Sequence, residues 1–476
     1  MPINTLKSFF QLLSDKFPHE FSAEQAIVMD QLSKFVMEVS GPEIFVLKGH
    51  AGTGKTAIIS TLVRNLWQIN KNAVLLAPTG RAAKVISNYS GMEASTIHRI
   101  IYFPRTDKKG GVKFVLQPNK NRKTIFFVDE ASMISDGSGD FTGLGSSLLD
   151  DLIQFVFSGF QCKLVFIGDT AQLPPVKLEL SPALDPEFFE RNYDKEVMSG
   201  NLTQVMRQQL ESGILFNATE VRRQINGEGF GSIKMMLDGF KDIVRLIEGN
   251  DVLDALNEAY STIGNENTAI IVRSNKRANL YNQQIRSRIL FNESELSVGD
   301  YLMVVKNNYF WVKPESEAGF VANGDTIEVL EIYKFESFYG FDFARVKVRL
   351  IDYPKMKSFE TVLLLNTISA ETPALTYDEN NQLYNAVKED YASESSNYKR
   401  FLKIKQNPHF NALQVKFSYA MTCHKSQGGQ WNTVFIEQPY LPEGPDQNYY
   451  RWLYTAMTRA QERLFLLGFD KSYFNE

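Results

Sequence analysis

Short runs of apolar, β-prone residues recur along the chain at 44–47, 73–77, 125–128, 164–167, 269–272 and 433–436, with stretches of helical periodicity between them. Apolarity that is continuous rather than alternating marks strands covered on both faces, the habit of parallel sheets flanked by helices. Behind the first run, Ile58, Ile59, Leu62, Val63 and Leu66 return at one side of a helical repeat, so 57–70 predicts an amphipathic helix. The repeating unit is strand, loop, helix, strand. The runs fall into two groups on either side of 202–209, which predicts two α/β domains.

Two segments break this rhythm. At 103–123, Arg105, Lys108, Lys109, Lys113, Lys120, Arg122 and Lys123 stand against a single acid, and Gly110-Gly111 sits between β-capable residues. That pattern predicts a basic β-hairpin. At 293–412, β-prone runs at 301–306, 326–335, 341–352 and 360–365 follow one another without intervening helices, and Asn323-Gly324 supplies a turn. They predict a small antiparallel barrel. Its later part, 371–396, is acidic and polar and predicts a solvated excursion or helix on that barrel.

Composition narrows the class. At roughly 150 residues per domain, 476 residues suggest about three domains, and 43% hydrophobic with 22% charged residues is the profile of a folded, soluble chain. The net charge of -4 excludes a global positive field, so any polyanion must be met by a local patch. Cys162 and Cys423 lie too far apart in sequence and are too few for a disulfide framework or a zinc site, and both are expected in the core. The first twenty residues carry no signal-peptide pattern and no window offers about 20 uninterrupted apolar residues, so a cytoplasmic protein without a membrane span is expected.

The chemistry begins between the first strand and its helix. Gly49-His50-Ala51-Gly52-Thr53-Gly54-Lys55-Thr56 matches G-x-x-x-x-G-K-[ST] in full. Glycines there permit positive φ and close backbone approach, so successive N–H groups and the helix N-terminus can wrap a polyphosphate. Lys55 would neutralise the β- and γ-phosphates and the Thr56 hydroxyl would ligate Mg²⁺. Asp129 and Glu130 end a buried strand, the place from which a parallel sheet delivers ligands beside the phosphate loop. Asp129 would hold Mg²⁺ through water, and Glu130 would orient and deprotonate the attacking water. A further strand ends in Gly168-Asp169 and runs into Thr170-Ala171-Gln172-Leu173-Pro174-Pro175, where Gln172 could report the γ-phosphate to a neighbouring domain or simply cap the strand.

Taken in order, these motifs resemble superfamily 1 helicases of the 5′-to-3′ branch, typified by the phage Dda helicase, RecD-like proteins and the Pif1 family. The resemblance runs over almost the whole chain. Phe21-Ser22-Ala23-Glu24-Gln25 is similar to the adenine-sensing segment, with Gln25 on the base. Leu76-Ala77-Pro78-Thr79-Gly80-Arg81-Ala82-Ala83 and Ser95-Thr96-Ile97-His98 resemble the two DNA-contact motifs of the first motor domain. Leu202-Thr203-Gln204-Val205-Met206-Arg207-Gln208 carries the first arginine sensor, Arg207, and Leu453-Tyr454-Thr455-Ala456-Met457-Thr458-Arg459-Ala460 the second, Arg459. The most diagnostic block is Met421-Thr422-Cys423-His424-Lys425-Ser426-Gln427-Gly428-Gly429-Gln430. His50 departs from the small or polar residues usual at its position.

The resemblance implies two RecA-like motor domains, the first over 1–98 and 124–205, the second over 206–292 and 413–476. It makes the basic hairpin at 99–123 a strand-splitting pin and the insertion at 293–412 an SH3-like barrel. ATP would bind at Gln25, Gly49, Gly52, Thr53, Gly54, Lys55 and Thr56, with Thr56 and Asp129 on Mg²⁺, and Lys55, Glu130, Gln172, Arg207 and Arg459 would act in hydrolysis. Pro78, Thr79, Arg81, Thr96, His98, Lys108, Lys109, Thr422 and His424 would meet DNA, offering groups suited to phosphates and sugars rather than base edges. The expected partners are single-stranded DNA and its junctions with duplex, together with single-strand-binding, replication or recombination proteins, and the expected state is a monomer. Tyr309, Phe310 and Trp311 of the barrel are either base-stacking residues or core. The alternatives are an RNA-directed or purely translocating ATPase, the motor subunit of a RecD-like exonuclease complex without a nuclease site of its own, and a nucleotide-dependent switch.

Overall fold

The structure is a computed structural model that describes residues 5–106, 112–137, 147–206, 211–227, 233–313 and 316–475. The first half builds a parallel sheet from β1 (Ile44–Gly49), β2 (Asn72–Ala77), β3 (Ala94–Thr96), β6 (Thr124–Val128), β7 (Lys163–Gly168) and β8 (Val197–Leu202), in the spatial order β3-β2-β6-β7-β1-β8. Between β3 and β6 the chain makes an antiparallel pair, β4 (Tyr102–Thr106) and β5 (Val112–Leu116), at the predicted basic hairpin. Lys108 and Lys109 lie outside the described residues.

Alternation along β1 shows why this sheet needs helices on both sides. Phe45 and Leu47 enter one core with Phe9, Leu32, Ile58 and Leu62, whereas Ile44 and Val46 enter the opposite core with Phe126, Leu152, Phe166 and Phe189. The amphipathic helix predicted at 57–70 is the α-helix Lys55–Asn65 followed by a short 3₁₀ turn, Leu66–Ile69.

A second parallel sheet carries β9 (Ile243–Leu246) and β10 (Thr268–Val272). The chain then leaves it for a closed barrel of β11 (Tyr301–Val304), β12 (Thr326–Phe338), β13 (Phe341–Leu350), β14 (Phe359–Leu364) and β15 (Leu413–Phe417). Its pairings are antiparallel except that of β14 with β15, which is parallel. The acidic stretch after β14 contains the helix Tyr377–Glu389, and a second helix, Asn397–Gln406, follows it. The strand that closes the barrel, β15, lies past 412. The chain returns to the second sheet with β16 (Ala420–Thr422), β17 (Trp431–Glu437) and β18 (Ala460–Leu467), giving the order β16-β10-β17-β18-β9. The molecule is thus two parallel α/β sheets with a hairpin inserted in the first and a barrel in the second. Among the described residues no helix is long and apolar enough to cross a membrane.

A buried ion pair joins the barrel to the second sheet. Arg286, at the end of the helix Asn275–Arg288, donates from Nε to Asp300 Oδ1 at 3.0 Å and from Nη2 to Oδ2 at 2.9 Å. The Tyr419 hydroxyl donates to the same carboxylate at 3.0 Å, and the Arg286 guanidinium lies over the Phe417 ring at 4.3 Å. Asp300 is fully buried, so removing its partner leaves an uncompensated interior charge. Arg286→Leu is expected to lower the free energy of unfolding by about 3–5 kcal/mol, read in a urea titration.

Candidate active site

Because β1, β6 and β7 are parallel and adjacent, their carboxyl ends bring three distant segments together: the loop 49–56, the Asp129-Glu130 pair and the turn that starts at Asp169. Gly52 and Gly54 have φ of 77° and 85°. At Gly54 a side chain would also displace the Gln25 amide, since a Cβ there would lie 2.4 Å from Gln25 Nε2. That amide donates to Thr53 O at 3.0 Å and reaches Met206 Sδ at 3.1 Å, while Gln25 Oε1 accepts the Ser22 amide at 3.1 Å. Gln25 is therefore a buried brace beneath the loop. Lys55 follows at the first helical turn, its ammonium donating to the carbonyls of Gly49 at 2.5 Å and His50 at 2.8 Å. Thr53 is buried and Thr56 exposed.

Electrostatics separates the acids at these strand ends. Burial raises the Asp129 carboxyl to about 6, and the neighbouring Glu130 charge adds to the effect. Glu130 takes a left-handed backbone, φ 53°, directly after the strand, and its own amide donates to Asp129 Oδ1 at 2.9 Å. Asp169 goes the other way. Burial alone would raise it, but the His50 hydrogen bond, the Lys55 charge and the Tyr454 hydroxyl hold it down at about 2. His50 Nδ1 lies 3.0 Å from Asp169 Oδ1, so the unusual loop residue has a specific partner.

The second sheet supplies the opposite wall. Arg459, only 2% exposed, donates from Nε to Thr455 O at 3.0 Å, from Nη1 to Gly429 O at 3.3 Å and from Nη2 to Thr458 Oγ1 at 3.2 Å. Its Nη1 also stands 3.8 Å from Glu130 Oε1, across the boundary between the two halves. Nearby, the Leu173 amide donates to Thr455 Oγ1 at 2.8 Å and Gln427 Nε2 donates to Leu173 O at 2.6 Å. Gln172 is buried, and its Oε1 has no hydrogen-bond partner among the described residues. Arg207 lies outside the described residues. Its neighbour Met206 donates its amide to Gly52 O at 3.1 Å, which carries the chain to the loop.

The expected nucleic-acid residues divide in two. Thr79 caps the helix Gly80–Ser90 by accepting the Ala82 amide at 3.2 Å, and Thr96 caps the short helix Ile97–Ile101 by accepting the Arg99 amide at 3.3 Å. Pro78 is half-buried, as is His98, whose imidazole burial pushes down to about 4. Arg81 stacks on Trp431 of the second sheet, 4.4 Å from the ring centroid. Across from them, His424 is exposed and Thr422 half-buried, and a Cβ at Gly428 would lie 2.9 Å from Ala82 Cβ. The structure thus brings the 78–83 and 421–430 segments into contact. In the barrel, Trp311 donates from Nε1 to Asn411 O at 2.7 Å and Tyr309 packs on Phe320, whereas Phe310 is exposed.

Sequence reasoning missed what holds the barrel to the first half. The Lys84 ammonium donates to Ile351 O at 3.2 Å and stands 3.6 Å from Asp352 Oδ1. A Cβ on Gly80 would lie 2.7 Å from both Asp325 Oδ1 and Tyr353 Oη, so the barrel presses directly on the start of the helix Gly80–Ser90. The Asn-Gly turn before Asp325 signalled a strand and nothing of this contact.

Two family models match the chain, an AAA domain over residues 33–178 and a UvrD-like helicase C-terminal domain over residues 417–467. The ATP-dependent DNA helicase dda of Enterobacteria phage T4 is 26% identical, covering 88% of this chain and 93% of its own. The ATP-dependent RecD2 DNA helicase of Deinococcus radiodurans is 24% identical over 94% of this chain and 49% of its own. Among solved structures, the Pif1 helicase from Bacteroides in complex with ADP-AlF3 and single-stranded DNA is 16% identical with a TM-score of 0.47, covering 94% of each chain.

The contact at Gly80 makes stability depend on pH. Asp325 is fully buried, its Oδ2 accepts the Ala322 amide at 2.7 Å, and Oδ1 has no partner among the described residues. Burial, reinforced by the Asp352 charge and only partly offset by the Ala322 amide, raises its carboxyl to about 8. The folded state therefore holds a proton that the unfolded chain releases above 3.8, and this stabilisation is lost as pH rises from there towards 8. Asp325→Asn removes the titration. The variant is expected to melt with the parent near pH 4 and above it at pH 8, measured by thermal unfolding across that range.

Proposed function

We propose that this chain is a 5′-to-3′ DNA helicase of superfamily 1B, of the Dda, RecD and Pif1 kind. It hydrolyses ATP between its two motor domains and uses the cycle to move along single-stranded DNA and open the duplex ahead. One observation carries the reading: Arg459 of the second domain stands 3.8 Å from Glu130 of the first, a guanidinium from one wall beside the carboxylate pair of the other.

In this reading the loop amides and Lys55 bind the β- and γ-phosphates, with Gln25 bracing the loop beneath the base. Glu130 accepts the proton of the attacking water, and Gln172 and Arg207 meet the γ-phosphate. Arg459 turns from Glu130 to the charge that develops in the transition state, an effect of roughly 10³–10⁵ in rate where such an arginine is essential. Closure of the two domains is thereby a condition of turnover. The donors fit Mg²⁺: Thr56 and Asp129 offer hard oxygen ligands, and among the described residues no cluster of three or more His, Cys, Asp or Glu could hold a metal by protein groups alone. Thr56 and Asp129 would hold the ion, which when bound neutralises charge on the β- and γ-phosphates.

Pro78, Thr79, Arg81, Thr96 and His98 grip the strand on the first domain, and Thr422 and His424 on the second. Such groups contact phosphates and sugars, so little sequence preference follows. Lys108 and Lys109 belong to the pin that splits the duplex. The protein works as a monomer in the cytoplasm, beside single-strand-binding, replication or recombination proteins.

The deciding measurement is ATP-dependent unwinding of forked duplexes bearing one single-stranded tail at a time, with RNA tails in parallel. Duplexes with a 5′ DNA tail are expected to open, while 3′-tailed and RNA substrates open at least about tenfold more slowly. Equal rates on both polarities overturn the direction. Lys55→Ala is expected to lower hydrolysis by roughly 10²–10³-fold while leaving single-strand binding intact. Normal turnover in that variant would overturn the active-site reading.

A further inference from the structure

The helix Gln447–Met457 meets the first domain through a row of polar side chains. Arg451, Tyr454 and Thr455 fall at i, i+3 and i+4, so they share a face. All three meet the first domain: Arg451 donates to Thr170 O, Thr455 Oγ1 accepts the Leu173 amide at 2.8 Å, and Tyr454 reaches furthest. The fully buried Tyr454 hydroxyl donates to Asp169 Oδ2 at 2.6 Å and accepts the Ala51 amide at 2.9 Å. One oxygen of the second domain is therefore bonded to the backbone of the phosphate loop and to the acid that ends β7.

The chain of bonds continues on both sides. The other oxygen of Asp169 takes the Ala171 amide at 2.9 Å and faces His50 Nδ1 at 3.0 Å, so the carboxylate is held from four directions by His50, Ala171, Tyr454 and the nearby Lys55 charge. A carboxylate so held has no freedom to turn, and neither has the hydroxyl that bonds it. Tyr454 in turn lies five residues before Arg459, which stands in the turn just after the helix and is tied back to it by the Thr458 amide on Tyr454 O and the Arg459 amide on Ala456 O, both at 3.1 Å. The helix is stiff, so fixing Tyr454 on the loop fixes the origin from which Arg459 projects.

We propose that Tyr454 is a positioning residue for hydrolysis: its hydroxyl orients the Ala51 amide of the phosphate loop and sets where Arg459 stands relative to that loop. It touches the reacting atoms only through these two groups. The proposal rests on Arg459 acting upon the γ-phosphate, and it explains His50, which steadies Asp169 and with it the tyrosine.

The test is a kinetic cycle on the full chain with saturating single-stranded DNA, comparing the parent, Tyr454→Phe, Arg459→Lys and the double variant. Tyr454→Phe keeps the buried ring and removes the hydroxyl. It is expected to lower kcat by roughly 10- to 100-fold, the scale of a misplacement near 1 Å, while KM for ATP changes less than about threefold and DNA affinity is unchanged. In the Arg459→Lys background the same change is expected to cost clearly less than it does in the parent, because one of the two groups it positions is already altered. A tyrosine that merely supports the fold would lower the melting temperature and multiply the two losses. Parent-like kcat in Tyr454→Phe, or full multiplication in the double variant, overturns the proposal. Parent-like kcat in Arg459→Lys overturns the assignment of Arg459 instead. If Tyr454→Phe does not fold, Asp169→Asn breaks the same chain at its middle, and the same loss and the same non-additivity are expected of it.

Discussion

The arrangement of the site depends on one constraint, the parallel pairing of β7 between β1 and β6. Neighbouring parallel strands run in the same direction, so their carboxyl ends face the same edge of the sheet. The three segments that follow these strands are thereby held at one edge of the sheet, although more than 100 residues separate the phosphate loop from Asp169. The apolar residues of β6 and β7 are buried along their length, so register cannot slip without moving a side chain from one core to the other. The chemistry at the edge inherits its precision from that packing.

A second consequence of the shared edge is the divergence of two aspartates. Asp129 and Asp169 both end buried strands, yet the first is raised towards neutrality and the second held strongly acidic. The difference lies in their neighbours. Asp129 faces another carboxylate, and Asp169 collects a hydroxyl, an imidazole and a backbone amide. The same secondary structure thus yields one group suited to a cation and another suited to fixing its surroundings.

Much of this was legible in the chain because the principal strands are short, continuous and apolar, and because the loop 49–56 carries its own mechanism. What escaped was decided by contacts distant in sequence. Strand β15 alternates Leu413, Gln414, Val415, Lys416 and Phe417, the pattern of a half-exposed strand, yet both polar side chains are buried. Lys416 donates to Thr367 O at 3.1 Å and Gln414 Oε1 accepts the Leu375 amide at 3.0 Å, partners that only the closed barrel provides. A boundary drawn at 412 therefore cuts between strands that belong to one barrel. Strand β8 was missed because its Ser199-Gly200-Asn201 centre sits at an edge, and β18 because Gln461, Glu462 and Arg463 precede its buried half. At the site, Gln25 reads as a base contact from its motif, while its amide is engaged in bracing Thr53. Tyr454 has no motif chemistry of its own, and its partners stand 285 and 403 residues away.

Barrel and second sheet are joined with almost no slack. Strand β15 ends at Phe417 and β16 begins at Ala420, and of the two residues between them, Ser418 and Tyr419, the second is itself bonded to Asp300 just before β11. With the ion pair of Arg286, the connection has the character of a gear keyed to its shaft rather than a tethered appendage. Any rotation of the second sheet must turn the barrel through the same angle, and the barrel bears on Gly80, at the start of the helix Gly80–Ser90. A rotation of one sheet against the other would therefore reach the first domain a second time, from outside, through this contact.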